Sequence, residues 1–267
     1  SIINFKKEIN KIIAKGYKED DAKTILCHDI ILKAIEQSSL KNFVTIKGGL
    51  VVQKLSNSVR RVTKDIDFDF IHYSLSDVAI EKFVDSLNCL DDLSITLVGS
   101  FIDLNQQDYK GKRIYLNISD SFNNIIGTKI DIGVHNNLDI DQEEFLIDVC
   151  IQEDAIQLLV NSREQIIVEK LKSLLRFMSS NTGYKDIFDI CFLLEDCNAE
   201  VLKKYLKIIV YDDDSMPVSN DKELFNRLEK LFGNTKYMNK LKHSNKNWLD
   251  ISCDEVAYKI LEHFNNL

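Results

Sequence analysis

The sequence predicts an α+β fold: a mixed half of about 150 residues followed by an all-helical half. Three observations predict it. Strict alternation at Asp65-Ile66-Asp67-Phe68-Asp69-Phe70 puts three carboxylates on one face and three apolar side chains on the other, as a half-buried strand requires. Strand candidates stop before about residue 155, and beyond it apolar residues recur at helical steps. One proline and nine glycines in 267 residues leave little turn punctuation, which favours helices.

In chain order, residues 1 to about 38 read as helical, with Ile9, Ile12, Ile13, Ile25, Ile30, Ile31 and Ile35 at three- and four-residue steps and a break near Gly16. Phe43 to Ile46 is a short strand, Gly48-Gly49 a turn, and Leu50 to Leu55 the first turns of a helix. After the alternating strand come a helix over Ser76 to Leu87 and strands over Ser94 to Ile102, Arg113 to Ser119 and Thr128 to Val134. Lys129, Asp131 and Gly133 share one face of the last. Helices follow over Arg163 to Met178 behind a Ser162/Gln165 capping box, Tyr184 to Glu195, Ala199 to Val210, Lys222 to Phe232, and Asp254 to Phe264 behind Ser252 and Glu255. The acidic run Asp212-Asp213-Asp214 with Pro217 reads as the clearest linker. The expected domains are residues 1–155 and 156–267.

With 45% hydrophobic, 28% charged and 9% aromatic residues, the composition is globular and excludes disorder, collagen and a simple coiled coil. Thirty-four basic against 42 acidic side chains give a net charge of −8, so bulk charge does not draw the chain to nucleic acid and any polyanion contact is local. Six cysteines without a C-x-x-C pair or zinc spacing read as reduced core thiols of a cytoplasmic protein. No apolar run is long enough for a membrane span, and Lys6, Lys7 and Glu8 interrupt the start too early for a signal peptide. A first residue of serine reads as a trimmed start.

The chemistry lies in the order of three pieces. Gly48-Gly49 opens a helix, and bare backbone N–H groups at a helix start make a seat for phosphate oxygens. Asp65 and Asp67, two residues apart on a strand, point the same way and repel unless a cation sits between them. Hard oxygen donors of this kind suit magnesium, or manganese, completed by the phosphates of a nucleotide. Asp131, on another strand, is the candidate third ligand of a two-metal site. In the helical half, Lys170 falls inside the apolar arc of Ile166, Ile167, Leu171, Leu174 and Leu175, so it either snorkels or reaches phosphates over the glycine turn. Lys185, Asp186 and Asp189 form the one polar strip of the next helix. These two acids are candidates for holding Lys170, a metal water or the nucleotide, with a structural salt bridge as the plain alternative.

Taken together, Lys47-Gly48-Gly49, Arg61-x-Thr63-x-Asp65-Ile66-Asp67-Phe68, Glu169-Lys170-Leu171 and Lys185-Asp186-Ile187-Phe188-Asp189 resemble the AbiEii-type nucleotidyltransferase toxins, the toxin arm of abortive-infection toxin–antitoxin pairs used in phage defence. The resemblance spans roughly residues 43 to 195. It implies a minimal polymerase-β-like nucleotidyltransferase core with a helical C-terminal domain and nucleotide in the cleft between them. It also implies Gly48 and Gly49 as phosphate seat, Asp65 and Asp67 as metal ligands, Lys170 as polyphosphate or acceptor contact, and Asp189 as an essential acid. Lys47, Thr63 and Asp186 join the expected nucleotide contacts, and Asp131 is also a candidate base. The implied reaction is attack of an acceptor hydroxyl on the α-phosphate of an NTP with loss of pyrophosphate. For some members the acceptor is the 3′ end of tRNA, and the implied partner is a cognate antitoxin.

One local feature fits RNA: five lysines and His243 lie between Lys230 and Lys246 without an acid, beside Phe232 and Tyr237. A nucleotidyltransferase acting on a protein or small molecule, and an inactive nucleotide-binding module, remain as alternatives. No P-loop, H-E-x-x-H or G-x-S-x-G pattern is present, and the five histidines are scattered as surface or satisfied core residues.

Overall fold

The structure is a computed structural model that describes residues 2–106, 109–177 and 183–267. The chain divides into two compact units, Ser1–Asn161 and Ser162–Leu267.

The first unit opens with helices α1 (Phe5–Ala14) and α2 (Glu19–Gln37), separated at Gly16. Asn4 caps α1 by accepting the Lys7 N–H. A long run of α2, including Leu26, Ile30, Ile31 and Ile35, is fully buried, as a helix with apolar residues nearly all round must be. A short 3₁₀ turn leads into β1 (Val44–Ile46), α3 (Gly48–Ser56), β2 (Ile66–Ile71), α4 (Asp77–Ser86), and strands β3 (Ser94–Gln106), β4 (Tyr109–Ser119), β5 (Ile125–His135), β6 (Glu143–Ile147) and β7 (Ile156–Val160). The seven strands form one sheet in the order β3-β4-β5-β2-β1-β7-β6. Pairing is parallel for β2/β5 and β1/β7 and antiparallel elsewhere. One face of the central strands is core: Ile66, Phe68 and Phe70 of β2, Ile130 and Ile132 of β5, and Ile114, Leu116 and Ile118 of β4 are buried.

The second unit holds α5 (Arg163–Phe177), α6 (Tyr184–Leu194), α7 (Ala199–Tyr205) running into a π-helical stretch (Leu206–Tyr211), α8 (Asp221–Phe232), α9 (Thr235–His243) and α10 (Cys253–Asn265). Both serine N-caps form: the Gln165 N–H donates to Ser162 Oγ at 3.0 Å, and the Glu255 N–H to Ser252 Oγ at 3.1 Å. Met178, the expected last residue of α5, lies outside the described residues.

Several expectations need correction. β6 and β7 were not expected, because their apolar runs Phe145-Leu146-Ile147 and Leu158-Leu159-Val160 lack polar–apolar alternation, and the pairing of β7 with β1, extended by the Asn161 N–H to the Ile46 carbonyl, carries the first unit to Asn161. The Asp212–Asp214 run is no linker: Asp213 pairs with Lys172 at 2.9 Å and Arg176 at 3.7 Å inside the second unit, and accepts from Ser215. The bonds from Ser215 and Lys172 hold its carboxyl below the usual range. All six cysteines are free, but Cys89 is exposed and Cys150 and Cys197 are partly so. His28 is fully buried, and burial lowers its pKa to about 4, keeping it neutral.

A buried ion pair braces α3. Lys54 Nζ donates to Asp29 Oδ1 of α2 at 2.6 Å and to the Asp148 carbonyl at 2.9 Å, and Asp29 Oδ2 accepts the Cys150 N–H at 2.8 Å. Removing one partner strands the other charge. Lys54→Met is therefore expected to lower unfolding free energy in urea by about 3–5 kcal/mol, whereas Asp29→Asn combined with Lys54→Met recovers much of the loss. A single mutant as stable as the native chain contradicts this bracing role.

Candidate functional site

The antiparallel register of β1 and β2 sets Thr45 opposite Asp69 and Ile46 opposite Phe68. One residue further, the Lys47 N–H donates to the Asp67 carbonyl at 3.0 Å. The helix start at Gly48-Gly49 is thereby fixed beside the acidic strand. Gly48 adopts φ +47° with open space where a side chain would stand, and no side chain caps α3, so its first N–H groups face an uncluttered seat. Gly49 is crowded instead. A Cβ there would lie 2.9 Å from Thr63 Oγ1 and 3.2 Å from Nη2 of the buried Arg61. Thr63 locks this corner: its N–H donates to Gln53 Oε1 at 2.8 Å and its hydroxyl to the Asp65 carbonyl at 3.3 Å.

The parallel register of β2 and β5 places Asp67 directly opposite Asp131. Four carboxylates therefore gather on one sheet face, and three have a cation close by. Lys129 Nζ lies 3.3 Å from Asp65 and Lys47 Nζ 3.2 Å from Asp69. Arg113 of β4 grips Asp131 with both ends, Nε to Oδ1 at 2.7 Å and Nη2 to Oδ2 at 3.0 Å. Among the described residues Asp67 makes no ion pair. Burial, then Asp131, Asp65 and Asp69, raise its pKa to about 6 against the opposing pull of Lys47.

The donor chemistry at Asp65 and Asp67 suits a small hard divalent cation. Asp131 stands beside them but its carboxylate is given to Arg113, and among the described residues no three His, Cys, Asp or Glu side chains cluster to hold a metal. Asp69 is buried and faces the Lys47 ammonium. The sequence sets Lys129 on the same strand face as Asp131 and Arg113 at the start of another strand. Their alternation is legible, but the strand register that aims them at Asp131 and Asp65 is not.

In the second unit, Lys170 Nζ lies 2.7 Å from Asp186 Oδ1 and 3.2 Å from Asp189 Oδ2. Asp189 is fully buried and also accepts from Trp248 Nε1 at 2.9 Å. The two acids of the α6 strip thus hold Lys170, as one of the sequence readings had it. Trp248, the single tryptophan, was not foreseen as their partner. Lys236 and Lys240 lie exposed along α9 with Thr235, Asn239 and His243, while Lys242 pairs with Asp254 at 3.1 Å.

A diglycine helix start fixed beside a paired-acid strand is the arrangement that the resemblance to nucleotidyltransferases implies. The family described as "Nucleotidyl transferase AbiEii toxin, Type IV TA system" matches residues 30–238, and the chain belongs to that family. It is accordingly an NTP-dependent nucleotidyltransferase of a toxin family, as the four motifs implied. Among solved structures it is similar to an antigenic nucleotidyltransferase-like protein from Paracoccidioides brasiliensis, with 15% identity, 81% of this chain and 91% of that chain covered, and a TM-score of 0.43. It is also similar to the antibiotic-resistance factor ANT(2'')-Ia, with 17% identity, 67% and 86% covered, and a TM-score of 0.40. No curated protein sequence matches. No described helix is long and apolar enough to cross a membrane.

The raised pKa of Asp67 has a stability consequence. Between its ordinary value near 4 and about 6 the folded chain holds a proton that the unfolded chain has released, so ionised Asp67 costs stability above about pH 6. Asp67→Asn is expected to be more stable than the native chain near neutral pH by about 2 kcal/mol, an advantage that fades as pH falls from about 6 to 4. Magnesium is expected to raise the native Tm more at neutral pH than near pH 5, and to raise that of Asp67→Asn little. Identical melting of the two proteins at every pH contradicts the electrostatic account.

Proposed function

We propose that the protein transfers a nucleoside monophosphate from an NTP to the 3′ hydroxyl of tRNA, and that a cognate antitoxin restrains it in the cytoplasm until phage infection. The observation that carries this reading is the juxtaposition of the Gly48-Gly49 helix start with Asp67, whose charge lacks an ion-pair partner among the described residues. The first N–H groups of α3 hold phosphate oxygens, with the Lys47 ammonium adding positive charge. Thr63 keeps Asp65 in place through its carbonyl, and reaches a phosphate by turning its hydroxyl away. Asp65 and Asp67 hold magnesium or manganese, which when bound neutralises the triphosphate and polarises its α-phosphorus. Asp131 joins as a third ligand only by releasing Arg113; with Arg113 in place it keeps lone pairs to receive the proton of the acceptor hydroxyl. The acceptor oxygen bonds to the α-phosphorus, the bond to the β-phosphate oxygen breaks, and pyrophosphate leaves. In the helical unit Lys170 is held by Asp186 and Asp189.

The decisive experiment offers each labelled NTP with magnesium to purified tRNA, to total protein and to small amines. Label on tRNA supports the reading; label confined to protein or small molecules, or NTP binding without pyrophosphate release, overturns it. Asp65→Ala and Asp67→Ala should each lower transfer by about a thousandfold or more with the melting transition intact. Gly49→Ala, which drives a methyl group against Thr63 and Arg61, should raise KM for NTP about tenfold or more. On α9, replacing Lys236 and Lys240 with glutamate should weaken tRNA binding and reduce its salt slope by about two, one for each lost phosphate contact. An unchanged slope removes α9 from the RNA path.

A further inference from the structure

Resting on the reading of an RNA acceptor, a second part of the acidic sheet face has a function of its own. Two rows run outward from the acid pair across neighbouring strands. The first is Asp67–Asp131–Arg113–Ile102 and the second is Lys129–Tyr115–Val98, which starts at the residue that pairs with Asp65. In both rows the outer members are exposed: Tyr115 by 38%, Val98 by 41% and Ile102 by 44%. Tyr115 stands between Val98 of β3 and Lys129 of β5, with part of its ring uncovered and able to take a flat partner. Here it also lies beside cations. Arg113 is anchored on Asp131 through Nε and Nη2, its side chain is 28% exposed, and among the described residues its Nη1 makes no hydrogen bond. Lys129 stands in the same row as Tyr115. An anchored guanidinium with outward N–H groups, an ammonium and an open aromatic face are the chemistry that binds a nucleotide at a strand end: the base stacks and the phosphate meets the cations. The local bend suits such a use, because β3 breaks register between Val98 and Ile102, with Gly99 at φ +70°.

We propose that this face of β3, β4 and β5 is the acceptor subsite, where the terminal base of the RNA stacks on Tyr115 and its phosphate is met by Arg113 Nη1 and Lys129. Its continuity with Asp67 and Asp131 delivers the terminal hydroxyl to the reacting phosphate. An acidic protein partner would be met by the cations alone and would gain nothing from a stacked ring, which favours the nucleotide as occupant.

Fluorescence anisotropy with a labelled single-stranded RNA ending in CCA, alongside binding of a non-hydrolysable NTP analogue, tests the subsite on the full chain. Tyr115→Ala should weaken RNA binding about tenfold, Tyr115→Phe should keep it, and both should bind the NTP analogue as the native chain does. Because Tyr115 is exposed, both variants keep the core; a melting curve verifies this. If Tyr115→Ala binds RNA as tightly as the native chain, or loses RNA and nucleotide together, the subsite is overturned while the acceptor reading survives. If the native chain binds the NTP analogue but no RNA, the acceptor reading itself fails and the subsite falls with it.

Discussion

Repulsion among carboxylates on adjacent parallel strands is the constraint around which the first unit is organised. Backbone hydrogen bonding between β2 and β5 forces Asp67 and Asp131 to face each other, and no side-chain rearrangement can separate strands already committed to the middle of a seven-stranded sheet. The protein offsets most of the resulting charge internally, with Lys129, Lys47 and Arg113 each taking one acid. Asp67 is left over, and burial with the neighbouring acids raises its pKa to about 6.

The surrounding structure holds that imbalance beside the phosphate seat. Lys47 serves twice, its backbone N–H tying the helix start to Asp67 and its ammonium pairing with Asp69. Gly49 admits no side chain because Thr63 and the buried Arg61 pack against it, and Gln53 of α3 reaches back to the Thr63 N–H. From the other end of the helix Lys54 binds Asp29. Position is thus set by backbone register at one end of α3 and by a buried ion pair at the other. A site built on such rigid elements keeps its geometry without depending on loop ordering.

How much of this was legible in the sequence depends on the range of each interaction. The alternation in β2, the helix after the diglycine and both serine N-caps are local patterns, and each was readable from neighbouring residues. The cost of burying carboxylates on a mostly apolar helix left Lys170 as one of several partners for Asp186 and Asp189. Registry between distant strands was not readable, so Arg113 looked like the first residue of an ordinary strand, and Asp131 looked open to a metal. β6 and β7 escaped because Phe145-Leu146-Ile147 and Leu158-Leu159-Val160 run apolar without the alternation that marks a half-buried strand. The Asp212–Asp214 run misled for a related reason: an acidic cluster with a proline resembles a linker until Lys172 and Arg176, some 40 residues earlier, are known to meet Asp213.

The most direct measurement follows the side-chain carboxyl carbon of Asp67 by NMR as a function of pH, with and without magnesium. The account predicts a titration midpoint of about 6 in the metal-free protein, moving toward the ordinary carboxylate range once the cation is added. A metal-free midpoint already near the ordinary value, unmoved by magnesium, would contradict it.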